Sequence, residues 1–443
     1  MPSNYRPISL LAVGYKVLAS LLLARLANSG VEQRLRKTQF GFRRHKGSTD
    51  AVFLAQRLID QTWASKNGQL SIVLLDWAKA FDGVDPAAML VALRRFGLPV
   101  AIVDMIAGIY CNRTFVVKAA EHPSDIRPQG AGIAQGCPLS PYLFIIMLSV
   151  LLADVDAEVV QHPLAQGAVA TCSDITYADD VALASSTPAL LQVKLHALIS
   201  KALLYGLEPN WTKTVHLPVR HAETIMMPDG MPLKEVETAV YLGSLLTTSG
   251  STKTAIARRI GEAKGVLKDL QAVWRHANLT KRRKLEIFNA CVVSKLLYSL
   301  ETLSFRAADW SRIDAFHAQS LRKITGIPHS MLSHISNAEV WRISAQRQLS
   351  KTLLCRQLLL FGKIAGMPDE SCMRSAVFVP ASCCPVQPGR RGRGRPRLRW
   401  ETTLHAHALE ILDDHHGNLN QMLREVPHPN HRWKMAVSRY CFP

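Results

Sequence analysis

The sequence predicts an α+β protein, and three observations carry the prediction. Short β-rich runs and helical patterns mix through the first 250 of 443 residues. The segment "DITYADDVALASS" (174–186) reads as strand, tight turn, strand, with Asp179 and Asp180 at the tip. Near residue 250 the character changes to helical spacing rich in cations.

The elements follow in order. Residues 1–70 read as helical, apart from the basic loop "GFRRHKGSTD" (41–50). Within them, "LLAVGYKVLASLLLARLA" (10–27) is interrupted by Lys16 and Arg25 and lacks a small-residue cleavage pattern. It therefore reads as an amphipathic helix rather than a signal or membrane segment. "LSIVLLDW" (70–77) is a β-rich run ending on Asp76, and helical patterns continue to about residue 118. "RPQGAGIAQGCPLSP" (127–141) is a loop by its Gly and Pro content. It leads into "YLFIIMLSVLLA" (142–153), too short to span a bilayer and read as a buried helix. After the Asp-Asp hairpin come a helix over 187–205, the loop "GLEPNWTKTVHL" (206–217), and strand-like pieces up to "AVYLGSLL" (239–246).

Beyond residue 250, Ile256, Ile260, Ala263, Val266, Leu267, Leu270 and Trp274 keep helical spacing. Thr280 is placed to cap a second helix that opens Lys281-Arg282-Arg283-Lys284. Four cations at a helix N-terminus oppose the helix dipole, which points to binding rather than to stability. "PGRRGRGRPRLRW" (388–400) holds six arginines among glycines and prolines, and reads as a flexible basic linker that meets phosphate, with a nuclear-localisation signal as the competing reading.

Charge divides the chain more sharply than it describes the whole. The net charge is +19, of which about +2 belongs to residues 1–250 and +17 to 251–443. A basic half following a half that holds clustered acids points to a polyanionic partner, most simply nucleic acid. Nine cysteines at irregular spacings form neither a disulfide framework nor a paired C-x-x-C zinc pattern, and suit a reducing, intracellular compartment.

Asp179 and Asp180 need explaining because a bare Asp-Asp pair is common in turns. Asp413-Asp414, near a helix end, is such a case in this same chain. The pair at 179–180 differs in its apolar strand flanks and in having Asp76 at the end of another apolar run. Three carboxylates at the ends of neighbouring strands can hold two Mg²⁺ ions, which prefer hard oxygen ligands. Two such ions clamp the attacking and leaving oxygens of an in-line phosphoryl transfer.

These residues belong to an ordered series. "NYRPISLL" (4–11), "QFGFRRHKGSTDA" (39–51), "LLDWAKAFDGVD" (74–85), "GIAQGCPLSPYLF" (132–144), "YADD" (177–180), "GLEPNWTKT" (206–214) and "YLG" (241–243) follow one another over about 250 residues. The series resembles the reverse transcriptases of non-LTR (LINE-type) retrotransposons. "LLYSLET" (296–302) and "GRPRLRW" (394–400) are similar to pieces of their thumb and C-terminal regions.

The resemblance implies a right-hand polymerase. Fingers and a palm with a small antiparallel sheet would span 1–247, a helical thumb 248–340, and a basic C-terminal extension 341–443. It implies Asp76, Asp179 and Asp180 as metal ligands for two Mg²⁺, with Mn²⁺ able to substitute. Phe81 would crowd a ribose 2′-OH. Gln135 and Gly136 would lie under the incoming nucleotide, beside Tyr177 of the hairpin. Arg6 would grip the triphosphate, a bidentate task suited to guanidinium. Lys213 would help pyrophosphate depart, and "YLG" would form the primer grip. Arg43, Lys281, Arg282, Arg283, Arg393, Arg395 and Arg397 would meet template or duplex phosphates. The implied partners are an RNA template, a DNA primer and dNTPs, in an intracellular ribonucleoprotein of nucleus or cytoplasm without a membrane. The chain begins inside the fingers as this family builds them, without the preceding strand and its lysine and without an endonuclease. The sequence is therefore expected to be an N-terminally truncated element. The competing expectation is a domesticated fragment that binds RNA or DNA without turnover.

Overall fold

The structure, a computed structural model, describes residues 8–119, 122–165, 173–276, 278–387, 397–413, 418–424 and 431–442. The chain forms two compact units. The first is Met1–Ala51 with Gln69–Ala239, and the second is Val52–Gly68 with Val240–Pro443. The division between the compact units falls at 239/240. The latter part of the helix Ser48–Ala64 belongs to the second unit, an assignment that local periodicity carries no signal for.

The first unit is built on a five-stranded sheet. Its strands are β1 (Leu70–Leu75), β2 (Ser173–Tyr177), β3 (Asp180–Ser185), β4 (Val215–Val219) and β5 (Lys234–Glu235), in the order β2-β3-β1-β4-β5. β1 is buried at all six positions, which matches a sequence apolar everywhere but Ser71 rather than an alternating one. It pairs antiparallel with β3 (Leu75 opposite Val181) and with β4 (Leu74 opposite Val215). Val73, Leu75, Val181 and Leu183 share one core with the helices Ser140–Gln161 and Pro188–Leu203. By strand alternation, their neighbours in sequence face the other way. The buried helix expected over 142–153 extends from Ser140 to Gln161, and the one expected over 187–205 is Pro188–Leu203, with proline in its first turn.

One expectation fails between 110 and 128. The helix Val100–Tyr110 stops, and Thr114–Phe115 instead pairs with Arg127–Pro128. Asn112 enters the left-handed region (φ 52), and the β-branched Val116 and Val117 follow.

The second unit is helical. Its core gathers Ile256, Ala263, Leu267 and Trp274 of the helix Thr252–His276 with Leu296, Leu297, Ile313, Leu321 and Leu353. Thr280 caps the helix Lys281–Phe288 by accepting from the Arg283 N–H at 3.2 Å. That helix passes through a π turn at Asn289–Val293 into Ser294–Leu297. Arg57, fully buried, lies over the rings of Phe53 and Trp400 (5.2 and 5.5 Å) and donates to the Thr302 carbonyl at 2.7 Å. It pairs with Asp60 at 2.8 Å and Glu401 at 3.5 Å, while Trp400 Nε1 donates to the Glu301 carbonyl at 2.8 Å. The ends of "LLYSLET" and "GRPRLRW" are thus joined by a buried ionic and aromatic knot. Among the described residues, no helix is long and apolar enough to cross a membrane, and every cysteine is a free thiol.

Candidate active site

β2 pairs with β3 through Tyr177 opposite Asp180, leaving Ala178 and Asp179 as a two-residue turn. Ala178 adopts a positive φ of 56, as the first position of such a turn requires. The expected hairpin tip is therefore present, with Asp179 half-buried and Asp180 exposed. The β1–β3 register, carried one residue past Leu75–Val181, sets Asp76 beside Asp180 on the sheet face away from the two core helices. Asp76 is 36% exposed, and its Oδ2 lies 3.6 Å from Lys213 Nζ. Among the described residues, no three His, Cys, Asp or Glu side chains converge as a ready ligand cluster. The donor set still fits a hard divalent cation: the oxygens are carboxylate, they stand on adjacent strands, and the Lys213 ammonium marks where positive charge is drawn.

The walls of the site are backbone. "GLEPNWTKT" runs along "DWAKAFDGVD", with Asn210 N–H to Asp76 O at 2.7 Å, Ala78 N–H to Glu208 O at 2.8 Å and Asp85 N–H to Tyr205 O at 2.9 Å. Where the two segments cross, Gly83 and Gly206 touch. A Cβ built on Gly206 would meet the Gly83 oxygen at 2.2 Å, so neither crossing residue can carry a side chain. Phe81 is half-buried and stacks on Phe144 at 4.9 Å, so its ring is both anchored in the core and partly presented outside it. Gln135 Nε2 donates to Asp82 Oδ1 at 2.9 Å, tying the "QGCPLSP" loop to the turn that bears Phe81. Gly136 has φ 120, and a Cβ there would meet the Ser9 oxygen at 2.7 Å.

The support of the hairpin was not singled out from the sequence. Buried Gln39 accepts from the N–H groups of Ala178 (2.9 Å) and Gly41 (2.7 Å) through its side-chain oxygen. Phe40 N–H donates to Thr176 O at 2.8 Å, and Thr176 N–H to Thr38 O at 3.0 Å. A Cβ on Gly41 would lie 2.3 Å from the Ala178 nitrogen, so "QFG" is a strap drawn against the turn. At the start of β2, buried Asp174 accepts from Arg36 through both oxygens, from Thr38 at 2.8 Å and from Lys194 at 3.1 Å. Burial alone would raise its pKa, but the Arg36 and Lys194 charges and hydrogen bonds bring it down to about 2. The only sequence signal for the strap was its place in a motif; the amide's task appears once strand β2 is beside it.

Two arginines expected to meet nucleic acid are occupied elsewhere. Arg43 pairs with Glu32 at 2.8 Å and donates to the carbonyls of Arg36, Gln39 and Glu32, with only 8% of its side chain exposed. It braces the strap from below. Arg397 lies over the Trp63 ring at 3.9 Å and donates to the Ser249 carbonyl at 2.8 Å. Lys281, Arg282 and Arg283 are exposed, with Arg282 and Arg283 reaching Glu286 at 3.3 and 2.8 Å. Arg6, Arg393 and Arg395 lie outside the described residues. "YLG" turns between Thr238–Tyr241 and Ser244–Thr247, with Leu242 and Gly243 both at positive φ (48 and 76). Tyr298 Oη donates to Leu242 O at 2.9 Å, and buried Arg259 donates to Gly243 O at 2.7 Å.

The family model described as reverse transcriptase (RNA-dependent DNA polymerase) matches residues 1–245. The chain is 27% identical over 366 residues to a probable RNA-directed DNA polymerase from transposon BS of Drosophila melanogaster, covering 79% of this chain and 39% of that protein. It is 28% identical over 326 residues to a Pol polyprotein from the type-1 retrotransposable element R2 of Popillia japonica, covering 69% and 43%. To the RNA-directed DNA polymerase from mobile element jockey of Drosophila melanogaster it is 26% identical, covering 74% and 36%. The chain thus spans less than half the length of each of these relatives. A solved telomerase from Candida albicans, with a fragment of telomeric RNA, superposes with a TM-score of 0.36 at 13% identity, covering 78% of this chain and 54% of that one. On the match of its first 245 residues, the chain belongs to the reverse transcriptase (RNA-dependent DNA polymerase) family.

Proposed function

We propose that the chain carries out RNA-directed DNA synthesis as the polymerase portion of a non-LTR retrotransposon. The observation that carries the reading is the β1–β3 register, which sets Asp76 beside Asp180 at the head of an apolar sheet. Fingers and palm correspond to the first unit, and the thumb lies within the second. The reaction is attack of a primer 3′-oxygen on the α-phosphorus of a dNTP, forming the new phosphodiester as the bond to pyrophosphate breaks. Asp76, Asp179 and Asp180 would hold the two divalent cations of this family, Mg²⁺ by donor chemistry, which neutralise charge on the phosphates. Phe81, stiffened by Phe144, limits the space at the sugar. Gln135 and Gly136 shape the floor beneath the base, with Tyr177 alongside the carboxylates. Lys213 exchanges its contact with Asp76 for the charge that builds on departing pyrophosphate. Arg6 would hold the triphosphate. RNA template and DNA primer bind through their phosphates, Lys281, Arg282 and Arg283 among the contacts, inside an intracellular ribonucleoprotein.

The test is dNTP incorporation on a primed RNA in Mg²⁺ by Asp76→Asn and Asp179→Ala variants. Each is expected to lose about 10³-fold or more in rate while still binding the primed RNA. Full activity in either variant would overturn the assignment. Binding without incorporation by the unaltered chain under any divalent cation would favour a fragment that only binds.

A further inference from the structure

The second unit carries an apolar projection that the polymerase reading leaves without a task. Between the helices Ala307–Thr325 and Asn337–Ile343 the chain runs "GIPHSMLSHIS" (326–336). Its crest is the single helical turn Ser330–Ser333, where Met331 is 80% and Leu332 78% exposed. Single exposed apolar side chains are ordinary; two adjacent ones at a crest are the feature to explain.

The loop beneath them is firmly built. Arg322, only 6% exposed, donates to Pro328 O (3.0 Å), Ser333 Oγ (3.3 Å), Ile335 O and Asn337 Oδ1 (3.4 Å). These acceptors come from both legs of the loop. Gly326 in the left-handed region (φ 77) ends the preceding helix, and the His329 ring accepts from the Met331 N–H at 3.4 Å. A buried arginine therefore specifies the position of a crest whose two largest side chains face solvent.

The surroundings select the occupant. Residues 306–356 hold eight Lys or Arg against three Asp or Glu. Asp309 and Asp314 are buried, and Glu339 is bound to Arg342 at 2.6 Å, so the exposed Lys323 stands at the foot of the crest without an acidic side chain of this segment left to offset it. Two apolar side chains are too small a patch for a stable protein interface. They suit a polyanion whose own apolar surface lies within a groove, a base-paired duplex.

We propose that Met331 and Leu332 form a wedge that enters the groove of the template–primer duplex and contacts a base step, with Lys323 beside the flanking phosphates. The proposal rests on the polymerase reading only in needing a duplex as ligand. The experiment uses the full chain and an RNA–DNA duplex carrying 2-aminopurine at successive positions. Met331→Ser/Leu332→Ser, both at exposed sites, should keep the thermal midpoint of the unaltered protein. The variant should bind the duplex roughly tenfold more weakly with the same salt slope, and lose a position-specific 2-aminopurine signal. Lys281→Gln/Arg282→Gln should do the reverse, lowering the salt slope by roughly two while keeping that signal. Equal affinity and equal signal in the serine variant would overturn the wedge while leaving the polymerase reading intact. Unaltered duplex binding with loss of self-association would assign the crest to a second copy and overturn it too. Failure of the unaltered chain to bind any duplex would overturn both readings.

Discussion

The turn Ala178–Asp179 in the first unit and the turn Leu242–Gly243 in the second are both two-residue hairpin turns held by side chains from outside their own hairpins. They are held differently. Ala178 is gripped by the buried Gln39 amide and by a glycine with no room to spare. Leu242 and Gly243 are gripped through single carbonyls, by the Tyr298 hydroxyl and the Arg259 guanidinium. Tyr298 is exposed enough for water to stand in for its hydroxyl, whereas the Gln39 amide is sealed from replacement. A turn that must hold carboxylates at fixed spacing is clamped by buried backbone contact. The turn at 242–243 is tethered by contacts that can yield, as the primer grip proposed for it would need.

Breaking the first clamp should have the largest effect. Gly41→Val puts a branched side chain where even a Cβ would sit 2.3 Å from the Ala178 nitrogen. The expected result is a loss of about 3 kcal/mol or more of stability, or a displaced turn with no measurable incorporation; denaturant melts and primer extension separate the two. Gln39→Leu leaves the Ala178 and Gly41 N–H groups without their acceptor, at a cost of about 2–3 kcal/mol. Its incorporation rate should fall while primed-RNA affinity stays, and an unchanged rate would show that the strap does not set carboxylate geometry.

Acid should weaken both units through one buried histidine each. Burial pushes both His216 and His317 down to about 4, but their surroundings differ. His216 has Glu235 at 3.6 Å, Ser71 Oγ at 3.2 Å and the His221 ring at 5.9 Å. His317 lies between the rings of Phe288 and Trp341, and neither of its ring nitrogens has a hydrogen-bond partner. Each is neutral in the fold and takes up a proton on unfolding below pH 6.5, so stability is full above 6.5 and declines as pH falls towards 4. With both rings held to about 4, His317→Phe and His216→Phe should flatten similar shares of the acid decline, each in its own unit, read by hydrogen exchange at pH 7 and pH 5. Asp174, held down to about 2, keeps its contribution throughout that window and loses it only as pH falls from about 3.8 through 2. The smallest effect is expected at Tyr298→Phe, which removes one hydrogen bond to Leu242 O: about 1 kcal/mol and a modest rise in primer KM with kcat retained.

What the sequence disclosed was local. The strand ending at Asp76, the Asp179–Asp180 hairpin, the buried helix before it and the Thr280 cap were all legible, because period, turn chemistry and capping act over a few residues. What stayed hidden was pairing at long range. Gln39 reaches a turn 139 residues away, and Tyr298 one 56 residues away. Arg43 and Arg397 illustrate the converse. A basic run suggests phosphate, yet carbonyls, an acid and an indole ring claimed those two guanidinium groups inside the fold.

The crossing of Gly83 and Gly206 has a consequence for tolerance. Side chains that space two segments apart can hop between rotamers, and the gap varies with them. Here the spacer is two peptide planes in direct contact, which have no rotamers to sample. The separation between the Phe81 platform and the segment bearing Lys213 is thus gauged by covalent geometry, much as a machinist's block sets a gap. Such a gauge can be reset only by moving the main chain itself.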